Sequence, residues 1–166
     1  MERYNYIIAI IIFLIICALS SADEPLTRNE RVVALTILGE ARGEGVNGMY
    51  AVACIIERRM QESTVNHTAA EVCLQPWQFS VWNAGKGKVK KESQLHYLWE
   101  SKSKDYARQL ARVVCNKDKD LQHSVIAYAN HYHRYDAKPS WTKKVKPVAK
   151  VKNHFFFKLP WASNKK

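Results

Sequence analysis

The sequence predicts an α+β domain in which helices come first and a small antiparallel sheet closes the chain. Three observations carry that expectation. Thr27-Arg28-Asn29-Glu30 is a capping box at the head of a helically spaced apolar run. Ala107, Leu110, Ala111 and Val114 form another stripe at helical spacing. Between Lys144 and Lys158 the period changes to two, the mark of a strand or hairpin.

Taken in order, the first helix runs from its Thr27 cap to about Arg42, with Val32, Val33, Thr36 and Ile37 at helical spacing. Gly43, Gly45 and Gly48 break it. A second helix follows from about Gly48 to Gln61, with Val52, Ile55, Ile56 and Arg59 on one side. Residues 62–69 read as a loop, and Ala70 to Leu74 as a short turn of helix. Pro76 to Gly87 carries Trp77, Phe79 and Trp82 without clean periodicity, which suits an irregular, aromatic-lined wall better than a core element. Glu92 to Trp99 and Lys104 to Cys115 read as helices. In the tail, lysines and Val148 take most even positions, while Val145, Pro147, Ala149, Val151, Phe155 and Phe157 take odd ones. That alternation predicts a lysine-rich outer face. No internal repeat or low-complexity segment is evident.

At 166 residues, with 47% hydrophobic and 25% charged residues, the chain has the composition of a folded protein. Residues 1–22 read as an export signal. Arg3 is a thin positive flank, Ile7 to Ala18 is apolar, and Ser20-Ser21-Ala22 offers small residues for cleavage. The apolar run falls short of the roughly 20 residues of a membrane span. An uncleaved anchor is the alternative, and Leu14-Ile15-Ile16-Cys17 is a poor lipoprotein site. The expectation is a secreted, periplasmic or envelope protein with one domain over residues 23–166, acting as a monomer. Its net charge is +11, unchanged by loss of Glu2 and Arg3. Such a field gathers anionic polymers. Outside a membrane these are anionic cell wall polymers rather than nucleic acid. Cys54, Cys73 and Cys115 remain after cleavage, an odd set that allows one bridge at most. Cys54 lies in an apolar run and reads as a buried thiol, leaving Cys73–Cys115 as the candidate pair.

The chemistry-bearing segment is Gly39-Glu40-Ala41-Arg42-Gly43-Glu44-Gly45. Glu40 follows Val33 by seven positions and Thr36 by four, so it projects from the buried side of the first helix near its negative C-terminal end. Both effects favour the protonated carboxyl, which could then donate to a glycosidic oxygen. The plainer reading is a helix-end glutamate paired with Arg31, Arg42 or a lysine. Glu44, one turn on among glycines, is expected to be more exposed, and to organise the loop or touch substrate. Gln75-Pro76-Trp77-Gln78-Phe79-Ser80 places amides beside aromatic faces, as sugar sites do. A partly buried loop with satisfied amides would look the same. His131 and His133 would point one way on a strand, but without a clear third ligand they read as neutral, hydrogen-bonded rings rather than a metal site.

In these residues the chain resembles the SleB/CwlJ-type cell wall hydrolases, the spore-cortex-lytic enzyme family. The blocks are Glu40-Ala41-Arg42-Gly43-Glu44, Ala51-Val52-Ala53 leading to Arg59, and Gln75 to Ser80. Ala129 to His133, Lys138-Pro139-Ser140-Trp141 and Asn153-His154-Phe155-Phe156 follow. The resemblance implies a lysozyme- or lytic-transglycosylase-like helical core with a small sheet near the C-terminus. It implies Glu40 as the catalytic acid and then base, acting on peptidoglycan glycan strands after N-acetylmuramic acid, with no cofactor and no metal. Glu44, Gln78, Phe79, His131, Tyr132 and His154 would bind substrate. Three positions depart from the family pattern: Arg58 before Arg59, the lead from Asp120 to Ala129, and Lys152 in place of a glycine. A hydrolytic muramidase or glucosaminidase, an N-acetylmuramoyl-L-alanine amidase, and a non-catalytic cationic wall-binding protein are the alternatives.

Overall fold

The Thr27 capping box forms as the sequence requires. The Thr27 hydroxyl accepts the Glu30 N–H, and the Glu30 carboxylate accepts the Thr27 N–H at 2.8 Å. From this cap rises α1, Arg28–Ala41. The computed structural model describes residues 24–64, 68–116, 121, 126 and 128–160. The expected leader over residues 1–22 and most of the lead from Asp120 to Ala129 lie outside them. Among the described residues no helix is long and apolar enough to cross a membrane.

α1 is enclosed rather than amphipathic, since Val32 through Leu38 are all buried. Around it pack α2 (Gly45–Glu62), α3 (Ala69–Leu74), α4 (Lys104–Cys115) and two 3-10 segments, Ser80–Trp82 and Glu92–Glu100. α4 buries the four residues of its expected stripe, Ala107, Leu110, Ala111 and Val114. A second capping box, Thr68 with Glu71, starts α3. α2 begins three residues before its expected start, so Gly48 lies inside it. There a Cβ would come within 2.2 Å of the Glu44 Cβ, and only glycine fits.

The segment expected to be an aromatic wall is largely core. Phe79 and Trp82 are each 1% exposed, and only Trp77 faces solvent, at 67%. Trp82 is held there by its Nε1–H, which donates to the buried Thr36 hydroxyl at 2.8 Å. Cys54 is buried as expected. Cys73 and Cys115 are unbridged, contrary to the pairing guessed from the sequence. The Cys73 thiol instead contacts the Thr36 hydroxyl, and burial pushes it up to about 12.

Three antiparallel strands follow, in the order β1 (His131–Arg134), β3 (His154–Phe157), β2 (Ala149–Val151). Strand structure covers less of the tail than expected, because a 3-10 turn at Ser140–Lys144 precedes it. The alternation also reverses at the turn. Val151 pairs with His154, three residues on, so paired side chains share a face while their parity changes. Ala149, Val151, His154 and Phe156 therefore lie on one face with Tyr132, toward the helices. His131, His133, Phe155 and Phe157 lie on the other, where Trp141 packs edge-on to His131, His133 and Phe157.

Candidate active site

Glu40 sits in the last turn of α1, half-buried, with its carboxylate held by three donors from two distant segments. The Ser80 hydroxyl donates to Oε1 at 2.9 Å and the Val81 N–H donates to the same oxygen at 2.8 Å. The Tyr132 hydroxyl donates to Oε2 at 3.0 Å. Gly39 makes this approach possible, since a Cβ there would lie 2.1 Å from the Val81 Cγ2. The partners considered for a plain helix-end glutamate are occupied elsewhere. Arg31 bonds Glu92 at 3.2 Å and the Leu26 carbonyl, while Arg42 donates to the Leu38 carbonyl.

Tyr132 is fixed by the sheet beneath it. Its ring stacks on Phe156 at 5.8 Å and meets His154 edge-on at 5.4 Å. Burial, and next the Glu40 charge, hold its phenol well above the ordinary value of 10, so it remains a donor. The His154 ring is lowered from 6.5, chiefly by burial, against the opposing pull of Glu44. Its Nδ1 stands 4.0 Å from a Glu44 oxygen.

Glu44 is not the exposed group expected from its glycine neighbours; its side chain is 13% exposed. It accepts the Asn153 backbone N–H and the Asn153 side-chain amide, each at 3.2 Å. The carboxylate thereby ties the start of α2 to the β2–β3 turn. Glu40 and Glu44 thus differ in role: one collects donors at a half-open site, and the other fastens two elements together.

Arg59 binds the two donor segments to each other. It is 4% exposed, with Nε donating to the Asn130 carbonyl at 2.8 Å and Nη1 to the Gln78 carbonyl at 3.2 Å. Its guanidinium lies over the Phe79 ring, 4.9 Å from the centroid. Burial lowers its pKa, while Tyr132 and Glu40 oppose that change.

Of the residues expected to bind substrate, the structure gathers Tyr132, His154 and Glu44 around Glu40. Gln78 is half-buried on the segment leading to Ser80. Two expectations are corrected. Phe79 is buried, so it supports the site from beneath and offers no face to a sugar. His131 projects from the sheet face opposite Tyr132, and the two cannot line one cleft. His131 packs against Trp141, with its Nδ1 2.9 Å from the Asn130 side-chain oxygen. Among the described residues no three histidine, cysteine or acidic side chains gather as a metal-binding group. Ser80 was not singled out from the sequence as a partner of Glu40. The only local signal was its place at the end of the Gln75–Ser80 block.

A family model described as cell wall hydrolase matches residues 43–157, beginning just after Glu40. Among curated proteins none matches the chain significantly. The crystal structure of the catalytic domain of the Bacillus cereus SleB protein is similar at 20% sequence identity and a TM-score of 0.54. The similarity covers 82% of this chain and 95% of that one. It shows the fold, a lysozyme-like helical core with a small sheet near the C-terminus.

Proposed function

The chain belongs to the cell wall hydrolase family, SleB/CwlJ type, and from that premise we propose that it cleaves the glycan strands of peptidoglycan with Glu40 as general acid and base. The observation that carries this reading is the carboxylate of Glu40, half-buried, held by Ser80, Val81 and Tyr132, and paired with no cation among the described residues. A carboxyl fixed in this way can hand over a proton in a defined direction. Oε1 already accepts two donors, filling its two lone pairs, whereas Oε2 accepts one. The exchanged proton therefore belongs on Oε2.

The reaction is a lytic transglycosylation. Glu40 protonates the oxygen linking N-acetylmuramic acid C1 to the next sugar, and that bond breaks with the proton on the leaving alcohol. The carboxylate then takes the proton of the muramoyl C6 hydroxyl as its oxygen bonds to C1. A 1,6-anhydro ring closes, Glu40 is again protonated, and no water is consumed. This route needs one carboxylate, which agrees with Glu44 being engaged by Asn153. In the alternative hydrolysis, a second carboxylate serves as base or nucleophile. Trp77, exposed three residues before Ser80, would offer its ring to a sugar. Anionic wall polymers are further partners of the +11 chain, and residues 1–22 would direct residues 23–166 to the envelope.

The test is release of soluble material from purified sacculi by the wild type and by Glu40→Gln. The substitution keeps the shape and one acceptor oxygen for Ser80 and Val81, leaves an amide N–H to donate to the Tyr132 oxygen, and removes the transferable proton. Loss of release with the fold retained supports the reading, and undiminished release overturns it.

A further inference from the structure

We propose that Arg59 is the positioning residue of this site, a guanidinium clamp that sets the distance between the two segments holding Glu40. The inference rests on the reading of Glu40 given above. Val81 and Ser80 reach Oε1 from the segment that follows Gln78, and Tyr132 reaches Oε2 from the strand that follows Asn130. Those segments lie far apart in sequence and share no secondary structure. Arg59 donates to a backbone carbonyl in each, at Gln78 and Asn130, two residues ahead of Ser80 and of Tyr132. A planar fork with fixed N–H directions converts the two carbonyls into one rigid unit. The Phe79 ring beneath it prevents the fork from tilting.

Glu40 also touches both segments, through the Ser80 and Tyr132 hydroxyls and the Val81 N–H, whereas Arg59 bonds a backbone carbonyl in each. The Asn130 side chain gives Nδ2–H to Glu62 and to the Leu159 carbonyl while its oxygen accepts the Leu159 N–H. Asn130 is thereby anchored to the end of the tail, and Arg59 connects that anchored strand to the Ser80 turn. A lysine at this position keeps the charge but offers a compact ammonium in place of the fork. Its three N–H donors radiate from a single nitrogen without the fork's fixed directions, so it holds the two segments less firmly.

The experiment compares wild type, Arg59→Lys, Phe79→Leu and Glu40→Gln on solubilised glycan strands, with circular dichroism and sedimentation on wall fragments alongside. Arg59→Lys is expected to lose about 10²-fold in kcat, the loss typical of a small misplacement of reacting groups, with KM changed less than about threefold and wall sedimentation unchanged. Phe79→Leu keeps an apolar core and the arginine, and is expected to lose about tenfold in kcat by the same route. It decides the matter if Arg59→Lys fails to fold. A folded Arg59→Lys protein with wild-type kcat overturns the clamp, as does wild-type kcat in Phe79→Leu when the lysine variant is unfolded. A purely structural role would lower the folded fraction and leave kcat per folded molecule unchanged, which also overturns it. If Glu40→Gln retains activity, the reading of Glu40 fails first, and that result is distinct from either arginine outcome.

Discussion

The two oxygens of Glu40 face different partners, and each can be tested separately. Tyr132→Phe removes the single donor at Oε2 and leaves the ring stacked on Phe156. It should lower kcat about 10–10²-fold, toward the lower end of losses seen when one catalytic hydrogen bond is removed, while the near-ultraviolet spectrum changes little. Unchanged kcat would mean that Oε2 is not the proton-transferring oxygen. Gly39→Ala acts on Oε1, because its methyl would overlap Val81. Overpacking of this kind costs about 1–3 kcal/mol, and here it should also lower activity by pushing the Ser80–Val81 turn outward. Urea unfolding and strand cleavage measured together would show both effects, and a loss of stability with activity intact would contradict the account. Glu40 was legible in the sequence because helical spacing from Val33 and Thr36 placed it on the buried side. Its donors were not, since they come from 40 to 92 residues further along the chain. Phe79 was misread for a related reason: an aromatic residue in an aperiodic segment carries no signal of whether its ring turns inward.

At the level of the elements, two histidines of the sheet, His131 and His154, contribute a pH dependence to stability. His131 is lowered from 6.5 to about 4, first by burial and then by the Arg59 cation, and His154 is lowered in the same direction. An unfolded histidine keeps its ordinary value, so the fold favours the neutral ring. Their contribution to stability is complete above pH 6.5 and declines as pH falls toward the folded values. Melting temperature should drop between pH 6.5 and about 4, and His131→Gln should flatten part of that drop. An identical slope in the variant would refute the assignment. The β2–β3 turn gives a second test. Lys152 holds φ +50, a left-handed conformation that costs a non-glycine residue about 1–2 kcal/mol. Lys152→Gly should therefore raise the unfolding midpoint slightly, after the entropy that glycine adds to the unfolded chain is set against the relief. A clear fall would show that the lysine side chain makes a compensating contact. Helices were legible because caps and stripes are local: both ends of α4 fall where expected. The sheet was only half legible. Period two marked the hairpin, but the parity change at its turn assigned the phenylalanines to faces the pattern could not foresee.

On the scale of the whole molecule, exposed lysines gather toward the C-terminal end of the chain. Lys138, Lys143, Lys144, Lys146, Lys150 and Lys152 are exposed, and no acidic residue lies between Ala137 and Pro160. If this charge holds the protein on anionic wall polymers, raising salt toward 1 M, where screening acts within about 3 Å, should release it from sacculi. Retention at high salt would mean that stacking and hydrogen bonds hold it instead. The family and the α+β order were readable from motifs spread along the chain, since each block is short but their sequence is specific. The unbridged state of Cys73 and Cys115 was not readable, because cysteine counting registers number and compartment but not where the thiols point.

The central claim is that Glu40 alone transfers the proton that cuts and closes the glycan. Mass spectrometry of soluble fragments from sacculi digested with wild type and with Glu40→Gln tests it most directly. Fragments ending in 1,6-anhydro-muramic acid from the wild type, and none from the variant, are the predicted result. Reducing-end sugars or free stem peptides from the wild type, or the same anhydro products from Glu40→Gln, would contradict it.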